Sequence, residues 1–282
     1  MPPLGLHIQV AARLPGLESH ADFGFPWGLH RIPALAYDQV IAWKIGRGAA
    51  MDEVKDHFED EATEFDRIIL ALIPHYQTMI RVLVDAVPFS RSEPIRVMDL
   101  GCGTGTVAAQ VLDAFPNARI TCLDVAENMI AIARTKLAAH PQVNFIAADF
   151  SDLEFCGEHD AIISSLALHH LATDGDKQKV YRRIYGSLTP GGVFYNADVV
   201  LATNDFLQAL CMKAWRRFMG YSLSIDEIEG KWIPKYNEED RPAKLLDQLA
   251  WMTEIGFVDV DVLWKYYNFA VYGGVRRADP AG

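Results

Sequence analysis

The chain has 282 residues, half of them hydrophobic, with 37 acidic and 26 basic side chains and a formal net charge of −11. That length can bury a sizeable core, and the acidic balance repels phosphate backbones and anionic lipid, which disfavours nucleic acid and membrane surfaces as partners. The cysteines Cys102, Cys122, Cys156 and Cys211 form no CxxC pair and match no zinc spacing, which suits reduced thiols in the cytoplasm.

The opening MPPLGLHIQVAARLPG lacks a positive segment followed by a continuous apolar core, so no signal peptide is expected. No apolar run approaches the roughly 18 residues that span a bilayer. Residues 1–50 are rich in Pro, Gly and aromatics and read as an irregular arm. Residues 51–87 read as helical: Asp52 caps a segment with Val54, Phe58, Ala62 and Phe65 at helical spacing, and Pro74 restarts the pattern. Together, 1–93 form an N-terminal arm and helical cap.

From Ile95 strands and helices alternate. IRVMDL, RITCLD, VNFIAAD, HDAIISSLAL and VFYNADVV are strands. TGTVAAQVLDAF, AENMIAIARTKLAAH and DKQKVYRRIYGSL are helices, the last closed by a turn at TPGG. Such alternation means parallel βαβ units with the sheet buried on both faces. Residues 199–240 interrupt it with an amphipathic helix, NDFLQALCMKAWRRFMGY, and a polar, irregular stretch, SIDEIEGKWIPKYNEED. A helix over 241–256 ends at Gly256, and FVDVDVLW with NFAVYGGVRR reads as a strand pair at a sheet edge. The expected fold is therefore α/β: a Rossmann-like domain over 94–282, helices on both faces of a mostly parallel sheet, a helical N-terminal cap and a helical insertion after the fifth strand.

The strongest chemical signal is VMDLGCGTG, where a strand ends and a helix begins. Glycines there make a tight turn and let a ligand approach the backbone, beside the unpaired amides of the helix start. The pattern, Asp99 followed by Gly101, Cys102, Gly103, Thr104 and Gly105, differs from the GxGxxG that cradles a pyrophosphate. A second acid, Asp124, ends the next strand 23 residues after Gly101, where a carboxylate can accept both ribose hydroxyls. A third, Asp149, ends the third strand within reach of an adenine amino group. Three acids at successive strand ends, with no clustered base, suit a cationic nucleoside without phosphate; S-adenosylmethionine is such a ligand and NAD is not.

VMDLGCGTG, the acid of CLDVAENMI, AADF, IISSLALHHL and LTPGG, in that order, resemble the motifs of class I S-adenosylmethionine-dependent methyltransferases over about residues 95–200. The resemblance implies a seven-stranded sheet whose last strand is antiparallel, and S-adenosylhomocysteine as product. FDRIILALIPHY, FMGYS and WKYYNFAVYGG extend the likeness to the carboxy-S-adenosylmethionine synthase family over roughly residues 54–277. That resemblance implies cofactor contacts at Tyr76, at Gly101, Cys102 and Gly103, at Asp124 and Val125, at Asp149 and Phe150, and at Ser165, where the family carries asparagine. It also implies a homodimer. The family holds its extra carboxylate with an arginine about nine residues after GYS; here the nearby positions are Glu229, Gly230, Lys231 and Trp232. A lysine does not replace a bidentate guanidinium, so in-line methyl transfer to a small molecule is the preferred reading, and the synthase or a non-catalytic binder the alternatives.

His169 and His170 follow the fourth strand, beside the expected methyl position, and read either as a general base, His170 slightly ahead, or as an ordinary helix start. With no third ligand of suitable spacing in sequence, no metal site is expected. Trp27, Trp215, Tyr221, Trp232 and Tyr236 read as walls of an apolar or aromatic substrate pocket, or as core. Met129 packs near the adenine or simply fills the helix core. Arg67, Arg216 and Arg217 are candidate anion partners or surface ion pairs.

Overall fold

The computed structural model describes residues 64–151, 153–155 and 157–278. The arm at 1–50, Trp27 and the helix expected from Asp52 lie outside the described residues.

Two short helices come first, α1 (Phe65–Leu72) and α2 (Tyr76–Asp85). Pro74 disfavours helical backbone at the residue before it, and Ile73 is extended at ψ 111°. His75 then takes a left-handed φ of 57°, so the two helices meet at 99°. Ile69, Met79, Ile80, Leu83 and Val84 are buried in the same core as the sheet. No single helix among the described residues is long and apolar enough to cross a membrane.

The sheet has seven strands in the order β3-β2-β1-β4-β5-β7-β6: β1 (Arg96–Leu100), β2 (Arg119–Asp124), β3 (Val143–Ala147), β4 (His159–Ser165), β5 (Leu188–Val199), β6 (Phe257–Tyr266) and β7 (Phe269–Arg276). β1 to β5 are parallel, and β7 runs antiparallel between β5 and β6. Helices α3 (Thr106–Ala114), α4 (Glu127–Lys136) and α5 (Asp174–Ser187) make the crossovers. Buried side chains fall into two large clusters: Val97, Ile120, Ile163 and Val271 join α2 and α3, and Met98, Ile162, Phe194 and Tyr272 join α5 and α8 (Leu245–Ile255). Burial on both sides is why these strands read as continuous apolar runs. β1 pairs with β2 on one side and β4 on the other, with Leu100 level with Leu123 and Ser164. The chain reverses its winding direction there, and open α/β sheets bind ligands outside the strand ends at such a point.

Three elements differ from the sequence expectation. TPGG is the start of β5, not a separate turn: Leu188 pairs with His159 and the ladder shifts before Ala161 meets Val193. The stretch 225–239 is helical. It comprises Ile225–Glu227, a π turn Ile228–Trp232 and Ile233–Glu239, together termed α7, which follows α6 (Asp205–Met219). Its start is a capping box in which Ser224 and Glu227 satisfy each other's amides, and Ile228, Trp232 and Ile233 bury beneath a charged outer face. Gly230 and Pro234 obscure that spacing in sequence, although Pro is tolerated in a first turn. Finally, α8 begins at Leu245 rather than Arg241, because Lys244 is extended and bridges Leu201.

Candidate functional site

The glycine turn joins β1 to α3, and its conformation is fixed by sterics. Gly101 sits at φ +69°, and a Cβ there would lie 2.2 Å from that of Ala167. Gly103 sits at φ +52°, with nothing within 4 Å of the position its Cβ would take. The turn packs tightly at one glycine and leaves space over the other. That space belongs to a cleft of about 720 Å³, open to solvent, which Tyr76, Gly101, Cys102, Gly103, Thr104, Asp124, Val125, Met129, Phe150 and Ser165 line. Phe65, Leu166 and His170 complete its far wall.

Asp124 organises this cleft from below. Its Oδ2 accepts the Gly103 amide at 2.8 Å and its Oδ1 the Ala126 amide at 2.9 Å. Asp124 also lines the cleft, at the strand end where a ribose contact is expected. The Ser165 hydroxyl, by contrast, is buried without a hydrogen-bond partner. A buried orphan of this kind in a cleft wall is costly unless a ligand satisfies it. The open space over Gly103 and the orphaned Ser165 hydroxyl fit an adenosyl amino acid, which brings both hydroxyl and amino donors.

Other expected contacts fall elsewhere. Asp99 is fully buried beneath the turn and does not line the cleft. Burial first, and then the negative charge of Asp124, push its carboxyl up to about 7, against a pull from the Ala108 amide. Gly105 lies behind the turn, facing Ala133 and Leu137. Asp149 does not line the cleft either; its Oδ1 accepts the Ser151 amide at 2.7 Å, a local turn that leaves Phe150 as the wall. Asp66 gave no signal in the sequence, yet it holds α1 to the glycine turn. Its Oδ1 accepts from Thr104 at 2.5 Å and Thr106 at 3.2 Å, and its Oδ2 from Lys136 at 2.7 Å. The Tyr76 hydroxyl is pushed well above its ordinary pKa by burial and by the charges of Asp66 and Asp99.

A second cleft of about 740 Å³ adjoins the first, and Phe65, Leu166 and His170 line both. α1 supplies Ile68, Ile69 and Leu72, and α6 and α7 supply Trp215, Trp232 and Tyr236. Trp215 donates its indole N–H to the Leu72 carbonyl at 2.7 Å, pinning α6 to α1, and stacks edge-on against Tyr236. Three of the five aromatics expected at a pocket are thus brought together. Tyr221 is not among them, being 79% exposed just past the end of α6. Leu166 has a left-handed φ of 53°, uncommon for a branched aliphatic residue and characteristic of functional sites. Of the candidate anion partners, Arg67 pairs with Glu64 and Arg216 with Glu229 on the surface. Lys231 lies over the Trp232 ring and lines neither cleft.

The histidine pair occupies a short 3-10 turn, Leu168–His170, and both side chains are buried. His169 Nδ1 meets Asp198 Oδ1 at 2.5 Å, while His169 Nε2 and His170 Nδ1 each stand 3.5 Å from Asp240 Oδ1. A third potential ligand therefore does exist, brought from the end of α7, where sequence spacing gave no sign of one. Burial alone would lower His169, but Asp198 and Asp240 outweigh it and raise it to about 10; burial and the neighbouring His169 charge depress His170 to about 4. Behind them Asn196 Nδ2 donates to Asp198 Oδ2 at 3.1 Å and to the Tyr272 hydroxyl at 2.8 Å, and Tyr272 and Tyr181 both donate to Gln248 Oε1 at 2.6 Å.

Fold and clefts together define an α/β domain with two adjoining pockets beside its glycine turn. Residues 97–192 match the methyltransferase domain family. The chain is 24% identical to the carboxy-S-adenosyl-L-methionine synthase of Nautilia profundicola, over 76% of this chain and 91% of that protein. It is 36% identical to the malonyl-[acyl-carrier protein] O-methyltransferase of Bacillus anthracis, over 37% of this chain and 38% of that one. Its fold is similar to that of the methyltransferase SibL (TM-score 0.53, 19% identity, 81% of this chain and 72% of that one). It is likewise similar to human N-acetylserotonin methyltransferase (TM-score 0.56, 18% identity, 82% and 59%). Residues 97–192 thus carry a methyltransferase domain, and over most of its length the chain is similar to an enzyme that makes a derivative of S-adenosylmethionine.

Proposed function

We propose that the chain methylates a small acceptor with an apolar or aromatic body, held in the second cleft with its nucleophilic atom turned toward the first. The observation that carries this reading is the shared wall: Phe65, Leu166 and His170 line both clefts, so one ligand in each would meet there. Bound S-adenosylmethionine supplies an electrophilic methyl group. The chain's part is to orient and to exclude water. Asp124, Val125, Met129 and Phe150 hold the nucleoside, Tyr76 and Ser165 the amino-acid end, and the Gly101–Gly105 turn the centre. Trp215, Trp232 and Tyr236 clasp the acceptor body. His170 is the group that meets the acceptor atom; His169, fixed by Asp198, positions it. The buried free thiols Cys102, Cys122 and Cys211 support a reducing compartment.

A second reading, synthesis of carboxy-S-adenosylmethionine, is favoured by the similarity that spans 91% of a synthase. Lys235, the one ammonium group among the lining residues, would then hold the added carboxylate. The deciding experiment is mass spectrometry of the small molecule released on denaturation, followed by turnover against a panel of phenols, enols and carboxylic acids. S-adenosylmethionine or its homocysteine product, with methylation of a panel member, supports methyl transfer. Release of the carboxylated cofactor, with consumption of prephenate, replaces it by the synthase.

A further inference from the structure

We propose that His169 Nε2, His170 Nδ1 and an oxygen of Asp240 form a binding site for one divalent transition-metal ion, such as zinc, iron(II) or cobalt(II), whose remaining coordination positions face the second cleft. The inference does not depend on which acceptor the enzyme uses.

The first observation is geometric. The candidate ligand atoms all lie within 4.8 Å of one another, and both nitrogen-to-Asp240 separations are 3.5 Å. Ligands held roughly 2.0–2.2 Å from one ion stand about 3.0–3.5 Å apart in octahedral or tetrahedral arrangements. Two imidazoles and one carboxylate on one side of an ion, with open positions opposite, are the donor set of zinc hydrolases and non-haem iron enzymes.

The second observation lies behind the ligands. A metal-bound imidazole ordinarily gives its other N–H to a carboxylate, which fixes the tautomer and strengthens the ligand. His169 Nδ1 meets Asp198 Oδ1 at 2.5 Å, and its Nε2 faces Asp240 Oδ1 at 3.5 Å. Asp198 is held in turn by the Asn196 amide and the Val199 backbone amide. This is a more elaborate backing than a helix start requires.

The third is charge. Asp198 is 2% exposed and Asp240 largely buried, so two carboxylates face the histidine pair away from water. A divalent ion suits such a group, because buried charge is tolerated when paired or metal-bound. The site also has room: His169, His170 and Asp240 line the second cleft, where water or an acceptor oxygen can complete the coordination.

The test uses the full chain, stripped with a chelator and titrated with cobalt(II), whose visible absorption reports coordination number. The expected result is saturation at one cobalt(II) per chain, a tetrahedral or five-coordinate spectrum, displacement by zinc(II), and a higher thermal midpoint with metal. Asp240→Asn and His170→Gln should each weaken binding at least about tenfold, and Asp198→Asn, which removes no ligand, roughly 10–100-fold. His170→Gln carries the test if Asp240→Asn does not fold, with circular dichroism as the check. No saturable uptake by the wild-type chain, or uptake of equal affinity in a folded His170→Gln variant, overturns the proposal. Because the readout is binding, its failure is separate from any failure to find an acceptor.

Discussion

The backbone amide of Gly103 donates to Oδ2 of Asp124 over 2.8 Å, tying the turn after β1 to the end of β2. One carboxylate thus shapes the turn and, on the proposed reading, accepts the ribose hydroxyls. Asp124→Ala removes both functions, leaving two partly buried amides without their acceptor. The expected outcome is a loss of about 1–3 kcal/mol of stability and a fall in S-adenosylmethionine affinity of roughly 100-fold or more. Thermal unfolding and calorimetric titration check the two effects.

Gly101 and Gly103 should respond differently to alanine. At Gly101 the new methyl would meet Ala167 at 2.2 Å in addition to the φ penalty, so Gly101→Ala should cost roughly 2–4 kcal/mol. At Gly103 the methyl would enter open space, so Gly103→Ala should cost about 1 kcal/mol yet abolish cofactor binding by filling the cleft. Equal destabilisation of the two variants would contradict this division.

Asp99 sets a pH dependence. Its folded pKa of about 7 lies above the ordinary carboxylate value, so the folded state binds the proton more tightly. Ligand-free stability from this group is therefore highest below about pH 4, falls between about 4 and 7, and is level above. The fall amounts to roughly 2–4 kcal/mol. Asp99→Asn should remove it, making the difference between the two unfolding curves grow over that window. A cationic cofactor favours ionised Asp99, so wild-type affinity should rise with pH through about 7 and the variant's should not.

Trp232→Phe probes the second cleft. Trp232 lines it and not the first. Steady-state kinetics should give an acceptor KM raised roughly tenfold, on the order of 1.4 kcal/mol, with S-adenosylmethionine affinity unchanged. A change in cofactor affinity alone would move Trp232 out of the acceptor site.

The succession of strands and helices in the α/β half was legible because its signals are local: apolar runs such as RITCLD and a glycine turn at a strand end need no partner to be read. Asp124 is read from its place at a strand end and Phe150 from the family resemblance, and both line the first cleft. What escaped reading depends on distant partners. Asp66 is an ordinary acidic helix residue until Lys136 and two threonines surround it. Asp240 lies in a charged run, and only the folding of α7 carries it to His169. Asp149 and Tyr221 went the other way: the first takes part in a local turn and lines neither cleft, and the second stands exposed just past the end of α6.

The clamp of Asp66 on the glycine turn has a kinetic consequence. The segment Phe65–Ile73 walls the second cleft, while Asp66 within it is bonded to Thr104 and Thr106 at the edge of the first. On the proposed reading, a nucleoside bound over the turn would fix Asp66 and, through it, the wall of the second cleft. Substrates should add in a compulsory order, cofactor before acceptor, with the demethylated nucleoside the last to leave. Acceptor analogues would then inhibit uncompetitively against S-adenosylmethionine, and breaking the clamp with Asp66→Ala would let the sequence of addition become random.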